Sequence, residues 1–245
     1  MATTTRPRPD HRYVSNDDAT CRMFQSALLE RLSHVHPVVP HVLYLPLITV
    51  MLAFALQAHQ SIGQVALWFG AGALAWSLVE YVIHRFLFHP PQWIEDETRA
   101  VTASLRRNDP VLPALPTLRH KFYFLVHGVH HDYPNDSGRL VMPPSVSIPL
   151  ALLFFFLFRW GMGALAPAAF AGFVAGYLVY DTTHYLTHHA TGRTAFGRYQ
   201  KKRHFRHHYY DSTRNFGVSS PLWDLLFGTM GRTKRVAAPV AARET

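Results

Sequence analysis

The sequence predicts an all-α integral membrane fold: four transmembrane helices in two hairpins, with the rest of the chain forming a helical cap on the cytosolic side. Three observations carry this prediction. Four mostly apolar runs, 40–58, 63–83, 145–164 and 165–185, each approach the length of about 20 residues that one hydrocarbon crossing takes. Glycine and proline break these runs in pairs, at 58–63 and at 161–167, so each pair reads as a hairpin. Lys and Arg gather in the N-terminal arm, in the connection 84–144 and in the tail from 190, while the hairpin turns carry little beyond Arg159. By the positive-inside rule, both termini and the connection face the cytoplasm. A soluble bundle would need a polar face on every helix, and Ala151 to Phe158 offers none.

Taken in chain order, residues 1–40 form a polar cytosolic arm. Arg6, Arg8, Asp10, Asp17 and Asp18 leave it no apolar core of the kind a signal peptide needs, so the first run is expected to stay as an anchor. Residues 41–235 form one membrane domain, and residues 236–245 an Ala-rich, uncapped and flexible tail. Within the connection, residues 92–117 mix Glu95, Asp96, Glu97, Arg99, Arg106 and Arg107 with Pro110, Pro113 and Pro116. This stretch reads as a surface insertion, helical up to its prolines.

A mean hydropathy of +0.00 conceals the membrane pattern, because the apolar residues are bunched and both ends are polar. The single cysteine, Cys21, excludes an intramolecular disulfide and any CxxC site. The net charge of +9 flanks apolar runs rather than forming a stripe, so the expected partner is the lipid bilayer and not nucleic acid.

Any metal must therefore be held by other side chains, and histidine is abundant. Of seventeen histidines, twelve lie between His84 and His208. They cluster as HRFLFH (His84, His89), HGVHH (His127, His130, His131), HYLTHH (His184, His188, His189) and HFRHH (His204, His207, His208). Residues i, i+3 and i+4 share a helix face, so each HxxHH motif is expected to present three imidazoles to one site. His184 and His188 form an i, i+4 pair, with His189 about 100° further round and expected outside the ligand set. His84 and His89 would diverge on a regular helix, and Pro90 and Pro91 are expected to end it and let His89 turn back.

Ten imidazoles suffice for two metals with five each, more than the four ligands of a structural zinc. Neutral ligands leave such a pair strongly cationic, which suits an oxidising centre, and no paired ExxH motif points to a carboxylate-bridged site instead. His11, His34, His36, His41 and His59 read as ordinary surface or hydrogen-bonded residues, and His120 is open. Glu80, Asp132, Asp136, Asp181 and Asp224 are the carboxylates expected to orient the imidazoles. Asp181 and Tyr185, flanking His184, are the candidate catalytic groups. Tyr209, Tyr210, Arg214 and Asn215 are candidates for gripping a substrate head group, and Trp93 and Trp223 read as interfacial anchors.

The segments EYVIHRFLFHPP, HGVHHDYPNDSGRLVMPP, YDTTHYLTHH and KKRHFRHHYYDSTRNFGVSSPLWDLLFGT closely resemble those of the fatty acid 2-hydroxylases, within the fatty acid hydroxylase and sterol desaturase superfamily. The likeness runs from Glu80 to Thr229. It implies a four-helix membrane domain with a cytosolic dimetal site, ligated by His84, His89, His127, His130, His131, His184, His188, His204, His207 and His208. It also implies O2-dependent hydroxylation of a long-chain fatty acyl group at C2, as free acid, thioester or sphingolipid. Two iron ions would be the working metals, with external electrons, although zinc can occupy such sites in a purified protein. Many members carry a cytochrome b5 domain, for which the N-terminal arm has no room. Electrons are therefore expected from a separate donor, such as a cytochrome b5 or a ferredoxin with its reductase, and the location expected is a bacterial inner membrane with the site on the cytoplasmic side. The stretch between His89 and His127 is longer than in the family. The same ligands would serve sterol or carotenoid oxidation, and a non-enzymatic membrane metal carrier is the reading from a different class.

Overall fold

A computed structural model describes residues 12–18, 21–58 and 61–231. His11, His59 and the tail 236–245 lie outside the described residues. Eleven α-helices run in the order α1 (Ala27–Leu32), α2 (Val39–Gln57), α3 (Ile62–Val82), α4 (Gln92–Ser104), α5 (Val111–Ala114), α6 (Leu118–Tyr123), α7 (Val129–Asp132), α8 (Pro144–Met162), α9 (Ala166–His189), α10 (Ala195–Tyr209) and α11 (Leu222–Leu226), with no strand among the described residues. Two π-helical turns, Ile83–Phe88 and Phe124–Gly128, extend α3 and α6, and a 3-10 turn, Gly163–Leu165, separates α8 from α9.

Three helical segments are long and apolar enough to cross a membrane: Val39–Gln57, Ile62–Phe88 and Pro144–His189. The last spans 46 residues and contains both α8 and α9. It is broken where Gly163 adopts φ 55°, a left-handed conformation that favours glycine. The two helices pack on each other, so the chain folds back at this break.

Helix α9 is the hub, packing against α3, α2 and α8. Its small residues, Ala168, Ala169, Ala171 and Gly172, are buried and admit close neighbours. A Cβ on Gly172 would lie 1.9 Å from the Phe69 carbonyl oxygen of α3, and one on Gly72 would lie 1.8 Å from that of Ala169. Reciprocal glycine contacts of this kind let helices associate where lipid removes the hydrophobic drive between them. Trp76 fills the next layer, with ring centroids 5.1 Å from Phe173 and 5.2 Å from Tyr177. Leu45, Phe54, Leu67, Leu74, Leu152 and Phe156 point outward from α2, α3 and α8, as side chains facing acyl chains do.

The cap closes one end of this bundle. The N-terminal arm belongs to it: the Val14 and Ser15 N–H groups donate to the Asp132 carbonyl at 2.8 and 3.1 Å. Cys21 and Met23 are buried with Val111, Leu115, Phe124 and Val129. Arg139 clamps the arm by donating to the Cys21 carbonyl at 2.6 Å and to Glu30 at 2.5 Å. The 92–117 stretch departs from expectation. Its first part is helical, as α4, but Ile94, Glu95, Thr98 and Thr102 turn inward and are buried, so it is a packed element rather than a surface insertion.

Candidate metal centre

Ten of the eleven histidines of the motifs converge in two groups of five, all but partly covered His89 being buried. His84, His89, His127, His131 and His207 form the first, and His130, His184, His188, His204 and His208 the second, with the ring nitrogens of each group within 4.8 Å of one another. The rings of His131 and His208 stack with centroids 4.2 Å apart, so the groups adjoin.

Local structure explains the sorting, and it corrects the expectation that each HxxHH motif serves one site. His127 and His131 enter the first group while His130 enters the second; His204 and His208 enter the second while His207 enters the first. Adjacent residues on a helix diverge by about 100°, so an i, i+4 pair shares a direction that the i+3 residue cannot take. His84 and His89 meet through a different device from the helix end expected at the prolines. The π-helical turn Ile83–Phe88 bonds i to i+5, which brings residues five apart onto one face, and His89 itself is extended at φ −106°, ψ 94°.

In the first group three of the five rings have an anchored outward nitrogen. His84 Nδ1 lies 2.5 Å from the Phe216 carbonyl, His207 Nδ1 lies 2.7 Å from the Arg214 carbonyl, and His89 Nδ1 lies 2.8 Å from Glu95 Oε1. Carbonyl and carboxylate oxygens accept, so each Nδ1 carries the proton and each Nε2 of a neutral ring is a bare lone pair. Burial pushes His89 and His207 well below the ordinary imidazole range, and neighbouring imidazoles push the same way, so the rings are neutral. The Nε2 atoms of His84 and His89 nevertheless stand 3.3 Å apart. Two lone pairs at that distance repel unless a cation lies between them, so the donor set fits a metal.

The second group converges in the same way. His204 Nε2 is 2.8 Å from His188 Nε2 and 3.0 Å from His208 Nε2, while His184 and His130 meet through Nε2 at 2.8 Å. One proton cannot satisfy two such approaches to a single nitrogen. His130, His204 and His208 are likewise held well below the imidazole range, by burial first and by one another second.

The other predicted residues fall differently. His189 is exposed and its ring lies on Tyr185 at 4.7 Å, so His189 stands outside both groups and Tyr185 faces away from them. His34 and His41 make ordinary hydrogen bonds, to the Glu30 carbonyl and to Thr182, and His36 accepts from the Val38 N–H. His120 sits between Thr117 and Glu97, also outside the groups.

The carboxylates expected to touch imidazoles bond elsewhere. Asp181 accepts from the Tyr177 hydroxyl at 3.1 Å, Asp132 faces Arg99, and Asp136 faces Arg139. Glu80 accepts from the Val218 and Ser219 N–H groups and from the Ser219 hydroxyl. Asp224 accepts from Arg203 at 2.6 Å and from the Phe216 and Gly217 N–H groups at 2.9 Å. Glu80 and Asp224 thus act one step removed, by fixing the loop whose Phe216 carbonyl takes the His84 proton.

The head-group candidates are also redirected. Tyr209 donates to Asn16, Tyr210 is exposed at the end of α10, and the Arg214 side chain pairs with Asp211 while its carbonyl serves His207. Asn215 is buried with φ 58°, a conformation that asparagine tolerates better than other side chains, and its amide oxygen accepts from the Gly231 N–H. It shapes the loop. Trp223 bonds Ser77 of α3. Sequence reasoning missed Glu95, the two backbone carbonyls and Tyr180, whose ring stacks on His184.

Fold and site together define a helical membrane protein built round two histidine groups able to hold metal. Residues 115–229 match the model of the fatty acid hydroxylase family. The chain is 32% identical to the dihydroceramide fatty acyl 2-hydroxylase FAH2 of Arabidopsis thaliana over 88% of this chain and 82% of that one. It is 36% identical to the ceramide very long chain fatty acid hydroxylase SCS7 of Saccharomyces cerevisiae, covering 78% of this chain and 44% of the yeast protein. It is 37% identical to the fatty acid 2-hydroxylase of Rattus norvegicus, covering 66% and 39%. A solved structure described as full-length scs7p, with only the hydroxylase domain visible, superposes with a TM-score of 0.73 at 32% identity, over 87% of this chain and 73% of that one. The chain belongs to the fatty acid hydroxylase family, among its fatty acid 2-hydroxylases.

Proposed function

We propose that this chain is a membrane monooxygenase that hydroxylates C2 of a long-chain fatty acyl group, with a metal bound by each group of five histidines. The observation that carries this reading is the pair of converging, neutral imidazole sets. In the first set the outward protons of His84, His89 and His207 are fixed, and in both sets imidazole nitrogens face one another with no proton to share among them. The similarity to fatty acyl 2-hydroxylases selects the reaction, and it favours fatty acyl chemistry over sterol or carotenoid oxidation. Zinc has no redox chemistry, so two iron ions are the working metals; when bound they supply the redox chemistry by which O2, two external electrons and two protons yield a C–OH group and water. The electrons come from a separate donor, a cytochrome b5 or a ferredoxin with its reductase.

The residues of the chain place the substrate. Helices α2, α3, α8 and α9 each cross the bilayer as two hairpins, with residues 41–235 as one domain and the cap on the cytoplasmic side, where Lys and Arg gather. A small apolar cavity of about 50 Å³ among these helices is lined by Tyr44, Trp76, Met142, Phe154, Phe173 and Tyr177, side chains against which a few carbons of an acyl chain can pack. Tyr177, on the cavity wall, bonds Asp181, three residues before His184, so this wall leads along α9 towards the histidines. Placement of this kind decides which carbon reacts. Tyr185 has no contact that gives it a step.

The test is hydrolysis and mass spectrometry of lipids from cells expressing the chain under ¹⁸O2, with dihydroceramide, thioester and free-acid substrates compared in membranes. The parent and a His189→Ala variant are expected to give labelled 2-hydroxy acid, and His130→Ala none. No labelled product from a metal-loaded parent with a competent donor would refute the assignment.

A further inference from the structure

We infer that Glu95 is a positioning residue that fixes the proton and orientation of His89, and so governs how tightly the first group of histidines holds its metal. The inference rests on the dimetal reading above. His89 is the one imidazole of its group on extended backbone, past the end of the π-helical turn, and no helix fixes its ring. Glu95 supplies what the backbone does not. Its Oε1 accepts from His89 Nδ1 at 2.8 Å and its Oε2 accepts from the Ser212 hydroxyl at 3.1 Å, so both oxygens are committed.

The location of Glu95 is costly without such a purpose. The side chain is 3% exposed, and burying a carboxylate costs several kcal/mol unless charge or hydrogen bonds offset it. Three features of its surroundings offset it. Glu95 stands in the first turn of α4, where the helix dipole favours a negative charge. Arg99 stands one turn further along α4, and Arg12 reaches Ser212 from the N-terminal arm at 3.5 Å. On the far side of the His89 ring is the group that fits a cation. Carboxylate, imidazole and metal in line form an arrangement that fixes the ring tautomer and raises its basicity. Ile94, fully buried beside Glu95, and the buried Thr98 and Thr102 lock α4 in register, so the position of the carboxylate is set by packing.

The experiment uses the purified full-length chain in detergent with its metals as isolated. Metal per chain is counted by mass spectrometry after equilibration with graded chelator, for the parent, Glu95→Gln and Glu95→Ala. The parent is expected to hold two metals. Glu95→Ala is expected to release one of the two at roughly 10- to 100-fold lower chelator strength, the usual effect of removing such a partner. Glu95→Gln can still accept from Nδ1 but lacks the charge, so it should fall between the two. With Co(II) in place of the native metals, visible absorption should change for half of the cobalt in Glu95→Ala, which a purely structural defect would not produce. Release of both metals together with loss of helical signal in both variants, or release matching the parent in both, would overturn the role of Glu95. A parent holding fewer than two metals would overturn the dimetal reading and this inference with it.

Discussion

Replacing Gly172 by alanine tests whether the α3–α9 contact sets the spacing of the histidines. The added Cβ would lie 1.9 Å from the Phe69 carbonyl oxygen and 2.6 Å from its carbonyl carbon, against an ordinary contact of 3.4 Å or more. The obstacle is backbone, which cannot rotate aside, so the helices must separate by about 1.5 Å or the Phe69 turn must deform. Overpacking of this kind costs about 1–3 kcal/mol and more where nothing yields, so roughly 3 kcal/mol is expected. At 2–4 °C per kcal/mol for a chain of this size, the unfolding midpoint should fall by about 6–12 °C. Helix α3 runs into His84 and α9 carries His184 and His188, so metal retention should fall as well. Gly70→Ala is the control: it lies in the facing helix α3, next to Phe69, with nothing within 4 Å of its Cβ, and alanine there should be neutral or stabilising by about 0.5–1 kcal/mol. Thermal unfolding of both variants in one detergent decides the matter. Equal midpoints for Gly172→Ala and Gly70→Ala would refute the close-packing argument.

Two further outcomes are expected. Burial pushes the Cys21 thiol up from 9.0 to about 12, with Arg139 opposing, so at pH 8 iodoacetamide should label the folded chain about 1000-fold more slowly than the unfolded one. Because the folded value is the raised one, the stability this thiol contributes is complete below pH 9 and lost as pH climbs towards about 12; mass spectrometry of the single cysteine follows the labelling, and equal rates would refute the burial. Asp224→Ala should cost about 3–5 kcal/mol, because it strands the buried Arg203 guanidinium and frees the Phe216 and Gly217 N–H groups. A loss below about 1 kcal/mol in thermal unfolding would show that the Phe216 loop is held by other contacts.

Much of this was legible in the sequence, and the failures have physical causes. The apolar runs revealed the helices because lipid-facing elements leave no polar stripe, and Gly163 marked the break between α8 and α9. Ten of the eleven clustered histidines converge, the ten expected as ligands, since repeated spacing on helices survives folding. Which group each joins did not follow from shared faces, because 40° and 100° offsets matter once two sites lie side by side. The predicted carboxylates were chosen for nearness along the chain, but Asp181 is held by Tyr177 and Glu80 by the 218–219 backbone. Glu95 had a signal in the acidic first turn after Pro90 and Pro91. The Phe216 and Arg214 carbonyls had none, because a main-chain acceptor is the same at every residue.

The sorting of the motifs carries a consequence for the whole centre. Each HxxHH segment gives its i, i+4 pair to one group and its i+3 residue to the other, in opposite senses, while the α3 end serves the first group and α9 the second. Neither group can therefore be assembled without both HxxHH segments. Moving α10, for example, displaces His207 from the first group and His204 and His208 from the second at once. The stacked rings of His131 and His208 join the groups directly at that seam. Two metals held this way would not be independent sites: emptying one would release imidazoles on the helices that build the other.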